Sequence, residues 1–224
     1  MNVIVFASRK GGSGKSTLTA HIAAHAQKSS RPCLLIDADP QGSLTLWHGL
    51  RGTGEPALKS GLRGVADIIK ANKKDYDWAF VDTPPTMSAA VTEAIRTATL
   101  VVIPTRPTVF DLTAVRETID LCRASRKPYA VVMNAAPSKR DDQESPIVSQ
   151  AREGLAKLRV PVWGGQITHR TNYSIALAAG EGAREYDPDS AAASEVSRLW
   201  AAIEKSVKAI EGAYAGAAMH KAAA

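Results

Sequence analysis

The sequence predicts an α/β fold: a doubly wound, mostly parallel sheet with helices on both faces. Three observations predict it. Short apolar runs recur without polar alternation, stretches of helical spacing lie between them, and a glycine-rich turn joins the first run to the first helix. The runs are Val3 to Ala7, Cys33 to Ile36, Trp78 to Val81, Leu100 to Ile103 and Tyr129 to Met133. Each is roughly five residues, partly β-branched or aromatic, as expected of strands buried on both faces. Leu18, Ile22 and Ala26 mark the first helix; Leu112, Val115, Ile119 and Cys122 mark another; Val148, Ala151, Leu155 and Leu158 mark a third. A last helix aligns Leu199, Trp200, Ile203, Val207, Ile210 and Tyr214 on one stripe, expected to pack on the sheet. Gly49 to Gly64 reads as one loop-rich surface segment. The expected organisation is a single domain over residues 1–214 followed by a frayed, Ala-rich tail at 215–224.

Composition narrows the classes. A chain of 224 residues buries roughly 70% of the surface its unfolded form exposes, enough for its own core. Hydrophobic content of 45% with 22% charged excludes disorder. No apolar run is long enough to span a bilayer, and the N-terminus lacks the order of a secretory signal. Cys33 and Cys122 stand alone in apolar stretches and read as buried free thiols of a reducing compartment, so a cytoplasmic location is expected. The 28 basic and 22 acidic residues leave a net charge of +6. That balance permits a nucleic-acid partner without requiring one.

The chemistry concentrates after the first strand, in Ser8-Arg9-Lys10-Gly11-Gly12-Ser13-Gly14-Lys15-Ser16-Thr17. Strand, glycine-rich loop and helix is the context of a phosphate-binding loop. Gly11, Gly12 and Gly14 let the backbone wrap so that its N–H groups point inward at a β-phosphate, and the helix N-terminus adds its positive end. Lys15 is expected on the β- and γ-phosphates, the Ser16 hydroxyl on Mg²⁺ and Thr17 at the α-phosphate. The strict loop expression fails at position 9, where Arg replaces Gly, and an extra lysine, Lys10, precedes Lys15 by five residues.

Asp37, Asp39 and Asp82 each follow a hydrophobic run, which sets them at the carboxyl ends of parallel strands, the ligand edge of such sheets. One such Asp is as often a turn or cap residue as a ligand. Three beside a phosphate loop suit Mg²⁺ and water: Asp82 through a water, Asp37 in the same shell. Asn134, at the end of another run, reads equally as a turn residue or as a hydrogen-bond partner for adenine.

Lys10-Gly11-Gly12-Ser13-Gly14-Lys15-Ser16 resembles the deviant Walker A loop of the ParA/MinD ATPases. The resemblance continues at Asp37-Ala38-Asp39-Pro40-Gln41-Gly42-Ser43 and Phe80-Val81-Asp82-Thr83-Pro84-Pro85. It is looser at Val102-Ile103-Pro104-Thr105-Arg106-Pro107 and Ala183-Arg184-Glu185-Tyr186-Asp187. The resemblance implies an ATPase working as an ATP-sandwich homodimer with Mg²⁺, in which Lys10 reaches the partner's nucleotide and Asp39 handles the attacking water. It implies non-specific DNA binding through C-terminal basic residues, here Arg170, Arg184, Arg198, Lys205 and Lys208. It also implies a ParB-like or cargo-adaptor activator, and nucleoid association when ATP is bound. With the loop starting by residue 9, no N-terminal helix-turn-helix is expected, and nothing after Tyr214 suggests a membrane-targeting helix.

Two departures stand out. Arg9 replaces the glutamine common in those loops, facing either a partner subunit or solvent. The family's P-R-N-x-x-x-S-E-A run is degraded to Thr168-His169-Arg170-Thr171-Asn172-Tyr173-Ser174. The alternative on this scaffold is a metabolic ligase of the dethiobiotin-synthetase-like or cobyrinate-amidating type. Asp37-Ala38-Asp39-Pro40-Gln41 and Lys10 favour the switch. Cys33 and Cys122 do not suit an iron–sulfur carrier.

Overall fold

The computed structural model describes residues 1–222, with side chains described except at 109, 110 and 216–222. The chain runs β1 (Asn2–Phe6), α1 (Lys15–Ala26), β2 (Cys33–Asp37), α2 (Ser43–Arg51), β3 (Ala57–Ser60), α3 (Val65–Asn72), β4 (Trp78–Asp82) and α4 (Ala89–Thr97). It continues β5 (Leu100–Thr105), α5 (Val109–Ala124), β6 (Tyr129–Ala136), α6 (Pro146–Lys157), β7 (Val162–Thr168), α7 (Thr171–Ala178), α8 (Ala183–Tyr186) and α9 (Ala191–Ala222). Seven strands form one sheet in the order β3-β2-β4-β1-β5-β6-β7, and every neighbouring pair is parallel. The expected "mostly parallel" sheet is wholly parallel among the described residues.

Side-chain parity explains why the runs lack alternation. Ile4, Phe6, Leu35 and Phe80 point into one core with α1 and α9, while Val3, Val5, Leu34, Ile36 and Val81 point into another on the opposite face. Both faces are dry, so both parities are apolar. The α9 stripe packs as expected: Val196, Leu199, Trp200, Ile203 and Val207 are buried, and the Trp200 ring meets Trp78 edge-on at 4.7 Å. Tyr214 leaves the stripe and is exposed, beyond the buried part of the helix. The tail expected to fray at 215–224 lies, in nearly all its side chains and its last two residues, outside the described residues.

The loop expected over Gly49 to Gly64 contains structure: the end of α2, then edge strand β3, with α3 starting at Val65. Strand β3, Ala-Leu-Lys-Ser, is half exposed, so it lacks the apolar run that marks a central strand. Strand β7 was equally hidden, because Gly164 and Gly165 interrupt it. Two tethers dock the 180–187 segment. The Nδ1 of buried His21 accepts the Ala183 N–H at 3.0 Å, and Arg51 pairs with Glu185 at 2.5 Å. Burial lowers the His21 pKa to about 4, so a neutral imidazole makes that bond at neutral pH.

Candidate functional site

β1 and β4 lie side by side, Phe6 opposite Asp82, and β2 places Asp37 opposite Asp82 in turn. Two carboxylates therefore end on one edge of the sheet, beside the loop that leaves β1. Residues 9–12 of that loop are exposed, whereas Ser13 and Lys15 are buried. Gly14 opens α1 in the left-handed region at φ 96°, and a Cβ there would stand 2.0 Å from Asn134 Nδ2. Only glycine fits that crossing.

Lys15 is the cation at the centre. Burial lowers its pKa, while Asp82 and Asp39 pull it back up. Its Nζ lies 3.5 Å from the Lys10 carbonyl, which spans the loop. Asp82 is fully buried and neither carboxylate oxygen has a hydrogen-bond partner. Burial pushes its pKa up to about 7, against the opposing pull of Lys15 and of the Ser16 hydroxyl, which is near the carboxylate but outside hydrogen-bond geometry. An orphaned buried carboxylate is costly unless something else completes it. Mg²⁺ fits this place. It prefers oxygen donors, takes one or two carboxylates or hydroxyls from the protein, and fills the rest with water and phosphate. Among the described residues, no group of three His, Cys, Asp or Glu side chains is placed to hold a metal ion.

The other expected residues divide. Asp39 lines a cavity of about 390 Å³ together with Gly11, Gly12, Gly14, Lys15, Ser16 and Thr17. One Asp39 oxygen accepts the Gln41 N–H at 3.0 Å, which fixes the carboxylate at the cavity edge. Asp37 is engaged elsewhere. It accepts Asp39 N–H at 3.2 Å, and Thr45 N–H and hydroxyl at 2.8 and 2.7 Å, so it anchors the first turn of α2. This cap acts across space because Gly42, the residue before α2, has no side chain to supply one. Thr45 went unmarked in the sequence, since nothing local links it to Asp37.

Asn134 is neither in a turn nor free. It lies inside β6, buried, and donates to the Ser13 carbonyl at 2.7 Å, bracing the phosphate loop. Arg9 is half-exposed and pairs within the chain, with Glu117 on α5, and its N–H meets Thr118 Oγ1 at 3.3 Å. Lys10 is exposed, and among the described residues its ammonium forms no hydrogen bond or ion pair. The cavity also has walls that the motifs did not mark, Trp47, Leu44 and Leu177.

The five basic residues do not form one patch. Arg170 and Arg198 line a cavity of about 630 Å³ with Lys139 and Gln166. Arg170, however, is spent on Glu195 at 3.0 Å. That carboxylate is 5% exposed and also accepts the Thr168 N–H and the Tyr173 hydroxyl. Burial alone would raise the Glu195 pKa, but these donors hold it below the usual range. Arg184 lines a different cleft, with His25 and Lys28. Lys205 and Lys208 are exposed further along α9, Lys205 two turns from Arg198.

Comparison with known proteins agrees with this geometry. The family model described as CobQ/CobB/MinD/ParA nucleotide binding domain matches residues 4–183. A protein named ParA from Rhizobium radiobacter is 31% identical over 193 residues, covering 80% of this chain and 84% of that one. Two solved structures share the fold: an ATP complex of McdA from Cyanothece, and a septum site-determining protein MinD with Mg-ADP from Pyrococcus horikoshii. The first has a TM-score of 0.73 at 18% identity, covering 95% of this chain and 96% of that one. The second has a TM-score of 0.73 at 19% identity, covering 93% and 98%.

Proposed function

The chain belongs to the CobQ/CobB/MinD/ParA nucleotide-binding family, and from that premise we propose that it is an ATP-driven switch that dimerises, binds DNA without sequence preference and positions DNA or a protein cargo. The observation that carries this reading is the division of the two lysines. Lys15 is buried near Asp82 and Asp39, suited to hold a phosphate of its own subunit, while Lys10 is exposed with no hydrogen bond or ion pair from its ammonium among the described residues.

In this reading the backbone N–H groups of the loop and Lys15 hold the β- and γ-phosphates. Ser16 and Asp82 would hold Mg²⁺, which neutralises phosphate charge when bound. Asp39, fixed at the cavity edge, orients the water that attacks the γ-phosphorus as the bond to the bridging oxygen breaks. Two subunits close with two-fold symmetry, each Lys10 adding charge to the other's nucleotide. Loss of the γ-phosphate removes what the two subunits share, so the dimer opens and leaves DNA. An activator of ParB type or a cargo adaptor would set the pace. The DNA surface is read as Arg198, Lys139 and Lys205, with Arg170 held by Glu195 as structural support.

Light scattering after size exclusion, with ATP, ADP or no nucleotide, tests the core claim. ATP alone should give a dimer of wild type. Lys10→Ala should bind ATP and stay monomeric, whereas Asp39→Ala should accumulate as a dimer because its loss falls on the chemical step. A dimeric, hydrolysing Lys10→Ala would refute the mechanism and favour the metabolic-ligase alternative.

A further inference from the structure

The run Val102-Ile103-Pro104-Thr105-Arg106-Pro107 ends β5, the strand paired with β1 on the side away from β4. Because β1 and β5 run parallel in register, with Phe6 opposite Val102, the chain leaving β5 rises beside the loop leaving β1. Arg106 stands there. Its guanidinium Nη2 lies 3.5 Å from where a Cβ on Gly12 would be, so the head group rests on the outer lip of the phosphate loop.

Its backbone is pinned. The Arg106 carbonyl accepts the Thr108 N–H at 2.8 Å and the Thr105 hydroxyl at 3.1 Å, and Pro107 restricts Arg106 before it. Thr105 itself is buried and paired across to Met133 in β6. The side chain is exposed, yet among the described residues it forms no ion pair or hydrogen bond. Its neighbour on the loop behaves otherwise: Arg9 is taken up by Glu117. A guanidinium that is fixed at its root, free at its head and laid against a phosphate loop is suited to an anion that arrives later.

We propose that Arg106 is a catalytic residue acting in its own subunit, contacting the γ-phosphoryl group and stabilising the charge that spreads over its oxygens during hydrolysis. Its head group lies against Gly12, in the exposed part of the phosphate loop and outside the lining of the cavity. On this proposal its charge acts from beside Gly12 on the transferring end of the nucleotide, and contributes little to holding the ground state. The inference rests on the ATPase reading above. It adds to it an arginine in cis, alongside Lys10 acting in trans.

The test compares wild type, Arg106→Ala and Arg106→Lys in two measurements. Affinity for ATP and ADP is measured by titration with Mg²⁺. Retention of ADP with aluminium fluoride, which mimics the transferring phosphoryl group, is measured after gel filtration. Arg106→Ala should keep ATP and ADP affinity within about threefold of wild type, lose retention of the fluoride complex, and hydrolyse ATP roughly 100-fold more slowly, the scale for one transition-state donor. Arg106→Lys should recover part of the retention, since it restores the charge without the fork. Equal loss of ATP, ADP and fluoride-complex affinity would overturn the proposal and make Arg106 a brace for the loop. Unchanged retention and rate would overturn it as well. If wild type itself binds no ATP, the ATPase reading fails; if wild type traps the complex and Arg106→Ala traps it equally, only the role of Arg106 fails.

Discussion

Replacing Asp82 by Asn should stabilise the nucleotide-free protein, with a pH dependence that identifies the cause. The carboxyl is fully buried, has no hydrogen-bond partner, and has its pKa pushed from 3.8 to about 7. A displacement of about three pH units, at 1.36 kcal/mol each, is a cost of about 4 kcal/mol once the group is ionised in both folded and unfolded chains. The sign follows from the raised value. Well below the unfolded value of 3.8 the group is protonated in both states and costs nothing. The cost grows as pH rises towards 7, and it is constant above. The Asn amide relieves it but brings donors of its own to bury, at about 1–3 kcal/mol. The expected net gain for Asp82→Asn is therefore about 1–3 kcal/mol at pH 8.5, smaller by about 2 kcal/mol at pH 5.5, and absent or reversed near pH 4. For a chain of this length each kcal/mol moves the midpoint by about 2–4 °C. Urea unfolding in EDTA at pH 5.5, 7 and 8.5 measures it. Adding Mg²⁺ and ATP should then stabilise wild type more than the variant, which keeps Lys15 and the loop's backbone donors but lacks the carboxylate that serves Mg²⁺. A variant less stable than wild type at pH 8.5, or a gain that does not change with pH, would refute the orphaned carboxylate and with it the cation site.

Lys15→Gln should lose ATP binding in calorimetry, because the loop keeps its backbone donors but not its central cation. Asn134→Ala should weaken ATP severalfold and cost about 1 kcal/mol of stability, while leaving discrimination between ATP and GTP unchanged; a relaxed base preference would return Asn134 to the adenine. Glu195→Ala should destabilise by about 1–3 kcal/mol in urea, since it leaves the buried Tyr173 hydroxyl and the Thr168 N–H without their acceptor and frees Arg170, which is partly exposed. The stabilisation from Glu195, whose folded pKa is depressed, should also fade in wild type as pH falls below about 4. Arg198→Ala should lower DNA affinity and flatten its salt dependence at unchanged stability, whereas Arg170→Ala should change stability first.

Much of this molecule is decided locally. Five of the seven strands announce themselves because a strand covered on both faces must be apolar at every position, as Val3 to Ala7 and Trp78 to Val81 are. The phosphate loop is equally legible, since strand, glycines, lysine and hydroxyl are contiguous and their geometry follows from the backbone. The positions of Asp37, Asp39 and Asp82 at the ligand edge follow from their place at strand ends. The partners of these groups are decided only in three dimensions. That Asp37 serves Thr45, that Asn134 braces Ser13, that Arg9 goes to Glu117 and Arg170 to Glu195 depends on which strands become neighbours. Edge strand β3 and glycine-broken β7 stayed hidden because half-exposed strands carry no continuous apolar signal. Arg106 shows the division most plainly: its charge is written in the sequence, but its place on the lip of the loop comes from the pairing of β5 with β1. Residue type fixes what a side chain can bond; the order of strands in the sheet fixes which bond it makes.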